Sequence, residues 1–375
     1  MRDMVEIGMG RTARRGYELY DVEIVPSRRT RSSKDVSTAW QIDAYRFDIP
    51  MVTHPTDAVV SPDTAIAIGQ AGGLGVLNAE GLWARHADPD KALAGLLEIV
   101  DPERLNPALQ ELHAAPIQPQ LLTEALGRVR EAGVTVAARV SPQRAAALTP
   151  HLLAAGVEIL VVQGTIVSAE HVSTDGEPLN LKKFIAELDV PVIAGGVHDY
   201  RTAMHLMRTG AAGVIVGYGG EDGVSTTDVV LGIEVPSATA IIDAAAARRD
   251  YLDETGGRYV HVLADCGIRT SGEIAKSIAC GADAVMLGTP LAAADTTPGR
   301  GYYWTASAAH PSLPRSHLGL VAEEDDQVGL DQLLFGPAVD ASGVTNLFGA
   351  LRRAMAKTGY SDLKEFQKVG LTVRA

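Results

Sequence analysis

Cysteine is almost missing from this chain, with Cys266 and Cys280 the only two in 375 residues. Two thiols build no disulfide framework, which excludes the small stapled folds of secreted proteins and fits a reducing cytoplasm. Aromatic residues are scarce at 5%, so the core must come from Ala, Val, Ile and Leu. No stretch approaches the roughly 18 consecutive apolar residues of a membrane span, and the N-terminus lacks the apolar run of a secretory leader. Positive charge is in deficit. Lys and Arg number 33 against 46 Asp and Glu, a net −13 that repels nucleic acid and anionic membranes. The basic cluster Arg11, Arg14, Arg15, Arg28, Arg29, Arg31 and Lys34 reads as a solvated arm or a subunit contact. The histidines show no metal-ligand spacing and no HExxH, so no metal centre is expected. No turn carries GxGxxG, which argues against a dinucleotide-binding open sheet.

What the chain does have is glycine, 38 in all, and short β-branched runs at regular intervals. Eight such runs, at 49–53, 74–78, 134–140, 157–163, 190–195, 213–217, 259–265 and 283–288, read as strands buried on both faces. Amphipathic segments at 61–71, 120–132, 142–155, 179–188, 201–209, 236–252 and 271–279 read as helices. Cap signals at Ser61-Pro62, Ser141-Pro142 and Thr270-Ser271-Gly272-Glu273 start several of them, and glycines end others. Eight βα units in series predict a single-domain α/β fold, the (β/α)8 TIM barrel. Residues 1–48 would form an arm and entry strands, and 49–375 the barrel. Two stretches break the repeat. Residues 79–133 hold one clear helix and a proline-containing loop. The acidic, irregular part of 307–343 reads either as a flap over the mouth or as a subunit-facing excursion.

In such a barrel the site forms where strands end, and phosphate commonly sits on the loops after the last two strands. Those loops are Asp265-Cys266-Gly267-Ile268 and Gly288-Thr289. Glycines there let backbone N–H groups approach an anion, and a helix starting near Ser271 would add its positive end. Asp265 would accept hydrogen bonds from ribose hydroxyls, or serve only as a turn or helix cap. Cys280 lies in an apolar helical run and reads as core.

GVIVGYGGEDGVSTTDVVLGIEVP at 213–236 and HVLADCGIRTSGEIAKSIACGADAVMLGTP at 261–290 resemble the nucleotide-binding half of the IMP dehydrogenase/GMP reductase family. VPSRRTRSSKDVSTAWQIDAYRFDIPMVTHPTDAVVSPDTAIAIGQAGGLGVLN at 25–78 and LFGALRRAMAKTGYSDLKEF at 347–366 extend the likeness to most of the chain. It looks most like an actinobacterial branch related to IMP dehydrogenase, which carries Ser or Thr in place of the catalytic cysteine. The 79–133 stretch is too short for the regulatory domains that family members often insert there. The resemblance implies a cytoplasmic homotetramer that binds a purine nucleoside monophosphate (IMP, GMP or XMP) and NAD or NADP. In the family a cysteine thiolate attacks the purine, and hydride passes to or from the cofactor.

Residue by residue, the resemblance puts Ser225 at the nucleophile's position, with Thr227 set to help a water or amino group. Cys266 stands where the family has glycine, either as a displaced nucleophile or as a small packed residue. His54, Thr56 and Gly223 would lie by the purine, Asp265 on the ribose, and Gly267, Gly288 and Thr289 on the phosphate. Gln163 replaces an aspartate that holds the cofactor ribose, and Gly164, Thr165, Gly217 and Gly219 would line the cofactor's path. The family's water-activating Arg-Tyr pair is missing from the flap. Arg315 with His310 or His317 would deputise, or Thr227 with Glu323 or Glu324 in the manner of the reductases. The competing expectation is a nucleotide-binding sensor that has lost the chemistry.

Overall fold

All eight apolar runs become parallel strands: β1 Met51–Thr53, β2 Val76–Asn78, β3 Ala137–Val140, β4 Ile159–Gln163, β5 Val192–Val197, β6 Gly213–Gly217, β7 His261–Asp265 and β8 Ala284–Leu287. The computed structural model describes residues 4–99, 101–172, 174, 178–219, 231–306 and 318–374. Each strand pairs with its sequence neighbour, and β8 returns to β1. The last gap closes through a parallel bridge between Val52 and Leu74, with Thr53 N–H donating to Leu74 O at 2.9 Å and Leu74 N–H to Met51 O at 2.9 Å. The sheet is therefore a closed TIM barrel. Its strands are buried almost without break, as parallel strands covered on both faces must be.

Around it lie α1 Pro62–Gln70, α2 Pro119–Glu131, α3 Ala145–Ala154, α4 Leu181–Ala186, α5 Tyr200–Met207, α6 Ser237–Thr255, α7 Ser271–Ala279 and α8 Leu347–Lys357. Ser61 caps α1 as its sequence implies, accepting from Thr64 N–H at 3.0 Å. The Ser141-Pro142 signal does not start α3, whose N-cap is Arg144. Ser141 N–H is instead committed to the Glu80 carboxylate. The 79–133 stretch also needs correction. Besides α2 it holds two further helices, Pro89–Leu97 and Pro102–Ala114, each capped by an aspartate with proline in its first turn. Pro107 inside the second masks its helical pattern.

The basic arm is not free. Tyr17 N–H donates to Thr239 Oγ1 at 2.8 Å, Arg14 forks onto Asp243 of α6, and Val22–Ile24 pairs antiparallel with Leu371–Val373. In the excursion, Gly319–Leu320 pairs with Tyr302–Tyr303, and Leu333 and Leu334 are buried, which fastens its described part to the barrel. Among the described residues no helix is long and apolar enough to cross a membrane.

The N-terminal end of the barrel is plugged by the hairpin Trp40–Ile42/Tyr45–Phe47, with Ile42 fully buried. Beside it the buried Asp283 accepts from Arg248 Nη1 (2.7 Å), Lys364 Nζ (2.6 Å), Tyr259 Oη (2.8 Å) and Val262 N–H (2.9 Å). Burial pushes its carboxyl up, but the Arg248 and Lys364 cations override that and hold it far below the usual range. Burial pushes neighbouring His261 down to about 4, and Lys364 and Arg248 add to that push against the pull of Asp283 and Asp43. Unfolding returns this imidazole to its ordinary value of 6.5, so the unfolded chain binds a proton that the folded one refuses. Stability is present above that value and is lost as pH falls towards 4, by at most about 3 kcal/mol. Melting temperature is expected to drop over this window, and His261→Phe should flatten that drop. An unchanged slope in the variant would show that other groups carry it.

Candidate active site at the barrel mouth

Asp265 ends β7, in register with Gly217 at the end of β6, so its carboxylate emerges at the C-terminal mouth of the barrel. It is only 2% exposed, and a buried charge needs donors. Two come from across the barrel. Gln163, ending β4, donates from Nε2 to Asp265 Oδ2 at 2.8 Å, and His54, following β1, sets Nδ1 at 2.8 Å from the same oxygen. An ionised carboxylate only accepts, so His54 donates from Nδ1, leaving Nε2 to accept or carry a proton. The Gln163 Oε1 is buried and has no hydrogen-bond partner among the described residues. Three strand ends, 102 and 211 residues apart in sequence, thus meet at one oxygen.

Glycines make this approach possible. At Gly217 (φ +85°) a Cβ would fall 2.4 Å from Asp265 O, and at Gly219 (φ +68°) within 2.8 Å of the His54 ring. Gly219 N–H also donates to Asp265 O at 2.8 Å. At Gly288 a Cβ would come within 2.3 Å of the Tyr303 hydroxyl. Tyr303 is fully buried, and its phenol is held protonated first by that burial and then by the nearby Asp265 charge. Nothing in the local sequence assigns Tyr303 a role, although a Tyr-Tyr-Trp run in a chain so poor in aromatics is a signal.

The expected helix positive end is not open. Thr270 and Glu273 form a capping box, and the Glu273 carboxylate takes the N–H groups of Arg269 (2.8 Å) and Thr270 (2.9 Å). Ser271 N–H donates to Gly343 O. An anion here would instead rest on the loop glycines, including Gly267 at φ +64°, and on Thr289 in the turn after β8.

Thr56 is buried and bonded through Oγ1 to the Trp304 carbonyl. Cys266 is half-buried, its thiol donating to Val216 O on β6 at 3.3 Å. Cys280 is core, and burial pushes its thiol up to about 12. Gly223, Ser225 and Thr227 lie outside the described residues, as do His310, Arg315 and His317. Glu323 and Glu324 are exposed. No group of three or more His, Cys, Asp or Glu is placed to hold a metal among the described residues.

Beside this network opens a cavity of about 1300 Å³. Gly164 and Thr165 line it, and so does Tyr218, whose ring meets His54 edge-on at 5.9 Å. Gln163 does not: fully buried, its side chain turns away from the expected cofactor path towards Asp265. The far wall comes from the 79–133 stretch, where His113 Nε2 meets Asp57 Oδ2 at 2.8 Å. Arg85, Arg139 and Arg144 line the same space. Arg139 is an arginine inside an apolar strand, a sequence signal for a buried charge with a task.

Comparison with known proteins agrees with this geometry. Residues 16–311 match the IMP dehydrogenase / GMP reductase domain. An uncharacterized oxidoreductase of Mycolicibacterium smegmatis is 67% identical over 374 residues, covering 99% of this chain and 100% of that protein. The inosine-5'-monophosphate dehydrogenase of Aquifex aeolicus is 33% identical over 269 residues, 68% of this chain and 52% of that one. In three dimensions, the crystal structure of an IMP dehydrogenase/GMP reductase-like protein from Corynebacterium glutamicum matches with a TM-score of 0.93 at 56% identity, covering 99% of this chain and 98% of that one. With a closed barrel, a polar network at its mouth and a domain match over most of its length, the chain belongs to the IMP dehydrogenase/GMP reductase family.

Proposed function

We propose that this barrel binds a purine nucleoside monophosphate at the Asp265 mouth and acts on it as an NAD- or NADP-dependent oxidoreductase, in a cytoplasmic homotetramer. The observation that carries the reading is the Asp265 carboxylate set among close-packed glycines of the β6 and β8 loops, beside the Tyr303 hydroxyl. Asp265 would accept from the ribose, and Gly267, Gly288 and Thr289 would hold the phosphate, with the Tyr303 hydroxyl donating to it. His54, fixed through Nδ1, holds or moves a proton at Nε2. By resemblance Thr56 and Gly223 would lie under the base, and Ser225, Thr227 and Cys266 would stand nearest the chemistry. The catalytic unit is the barrel of 49–375, with 1–48 as its arm and 307–343 as its flap.

The residues present fit a nicotinamide dinucleotide. A cavity of about 1300 Å³ exceeds the roughly 300–1,000 Å³ of ordinary small-molecule sites, and its wall pairs apolar side chains with arginines. Bound there, the cofactor supplies a hydride acceptor or donor, while Gly164 and Thr165 position it and the loop at Gly217 and Gly219 keeps His54 in place. A second reading, a nucleotide sensor without turnover, is favoured by Ser225 at the position of the family's cysteine and by Asp265 Oδ2 already serving two donors.

The test is thermal stabilisation by IMP, GMP and XMP, expected to reach about 2–3 kcal/mol at a hundredfold excess over Kd. Following NAD(P)H absorbance with each nucleotide then separates enzyme from sensor. If none of the three nucleotides shifts the melting temperature, both readings fall.

A further inference from the structure

Three guanidinium groups line the cavity beside the Asp265 network, and two of them, Arg139 and Arg144, share the Glu80 carboxylate. Arg139, nine-tenths buried, donates from Nη2 to Gln163 O at 2.8 Å, while its Nη1 reaches Asn78 Oδ1 and Glu80 Oε1 only at 3.4 and 3.5 Å. Arg144 Nε lies 3.3 Å from Glu80 Oε2. Arg85 spends Nε on the Glu80 carbonyl and Nη1 on the Ala115 carbonyl. Glu80 also accepts Ser141 N–H. Among the described residues that line the cavity, three guanidinium groups face one carboxylate, with buried Asp57 behind the wall also drawing on Arg85. For the buried Arg139 and the half-buried Arg85, weakly matched counter-charge is costly. The cost shows at Arg85, where burial and then Arg144 lower the pKa against the opposing pull of Asp57 and Glu80.

We propose that Arg85, Arg139 and Arg144 form a phosphate-binding subsite for the phosphate-bearing arm of a nucleotide cofactor. Guanidinium forks match phosphate oxygens in pairs and stay charged at any working pH. A phosphate brings negative charge to a wall where, among the described lining residues, guanidinium groups outnumber carboxylates. Pro142, Leu148 and Ile117 on the same wall offer apolar surface to the flat ring such a ligand carries. The subsite rests on the nucleotide-oxidoreductase reading for the identity of the carrier alone, since the three guanidinium groups line the cavity whatever binds at Asp265.

Calorimetric titration of the intact protein with inorganic pyrophosphate, NADH and NADPH, without purine monophosphate present, tests this directly. Wild type is expected to bind pyrophosphate and at least one dinucleotide, more weakly as salt rises. Arg144→Gln, on an exposed side chain, and Arg139→Lys, which keeps charge but loses the fork, should each weaken binding about tenfold. Both variants should keep the thermal shift given by IMP or GMP. An arginine-dependent preference for NADPH assigns the subsite to a ribose phosphate, and equal affinities assign it to the diphosphate bridge. Binding of pyrophosphate with neither dinucleotide overturns the cofactor assignment. Affinities unchanged in both folded variants, or no phosphate binding by wild type, overturn the subsite itself. Arginine-dependent pyrophosphate binding without any IMP, GMP or XMP response would keep the subsite and remove the proposed function instead.

Discussion

Asp265→Asn is expected to weaken purine nucleotide binding by about two orders of magnitude while leaving the barrel folded. A hydrogen bond to a charged group is worth about 1.5–3 kcal/mol, and loss of about 3 kcal/mol is roughly a hundredfold in Kd. Asparagine keeps the volume and one acceptor, so His54 and Gln163 retain a partner at the mouth. Asp265→Ala behaves differently. It strands two buried donors, each costing about 1–3 kcal/mol, so lost binding and lost stability become confounded. Calorimetry with IMP or GMP on the Asn variant is therefore the discriminating measurement. Wild-type affinity there would remove the ribose from Asp265 and leave the carboxylate a purely internal tie.

The largest effect on stability is expected at the other end of the barrel. Asp283→Ala should cost about 3–5 kcal/mol, the usual penalty for removing one partner of a buried ion pair. Arg248, only 11% exposed in its side chain, is left facing Tyr259 with no carboxylate, and Val262 N–H loses its acceptor. Against a typical total of about 5–15 kcal/mol, that brings the domain close to unfolding at ambient temperature. Lys364→Met is the control. Its side chain is 53% exposed, and an exposed pair contributes about 0–1 kcal/mol. Urea denaturation of the two variants should separate by several kcal/mol. Equal losses would mean that the network acts as a surface cluster, not as a buried one.

The barrel was legible in the sequence because its strands are buried on both faces, and apolar runs such as Ile159–Val162 announce that state wherever they occur. Strand ends were legible through Asp265, Gly267 and Gly288, where glycine and a carboxylate interrupt an apolar run. What escaped depends on distance or competition. The Asp265 network joins three strands that only barrel closure brings together, so no local pattern marks His54 and Gln163 as its partners. The helix at 102–114 was hidden by Pro107, a proline inside it that reads from sequence as a break. The start of α7 was read correctly from its Thr270-Ser271-Gly272-Glu273 signal, and the structure adds that Glu273 takes the N–H groups of Arg269 and Thr270 just before it.

The wall that residues 79–118 raise beside the mouth also separates two kinds of inheritance. The barrel's ring of strands holds the Asp265 tie and tolerates little, because the ends of β1, β4 and β7 meet at the same oxygen. The wall enters and leaves the barrel between β2 and α2, where added length costs little loop-closure entropy. It meets the inner machinery mainly where His113 reaches Asp57 and Arg139 reaches Glu80. A chain built this way can exchange its ligand preference as a module, replacing one wall with another of different charge while the ring stays as it is. Any such graft has to bring its own partner for Asp57, the buried carboxylate that the present wall satisfies.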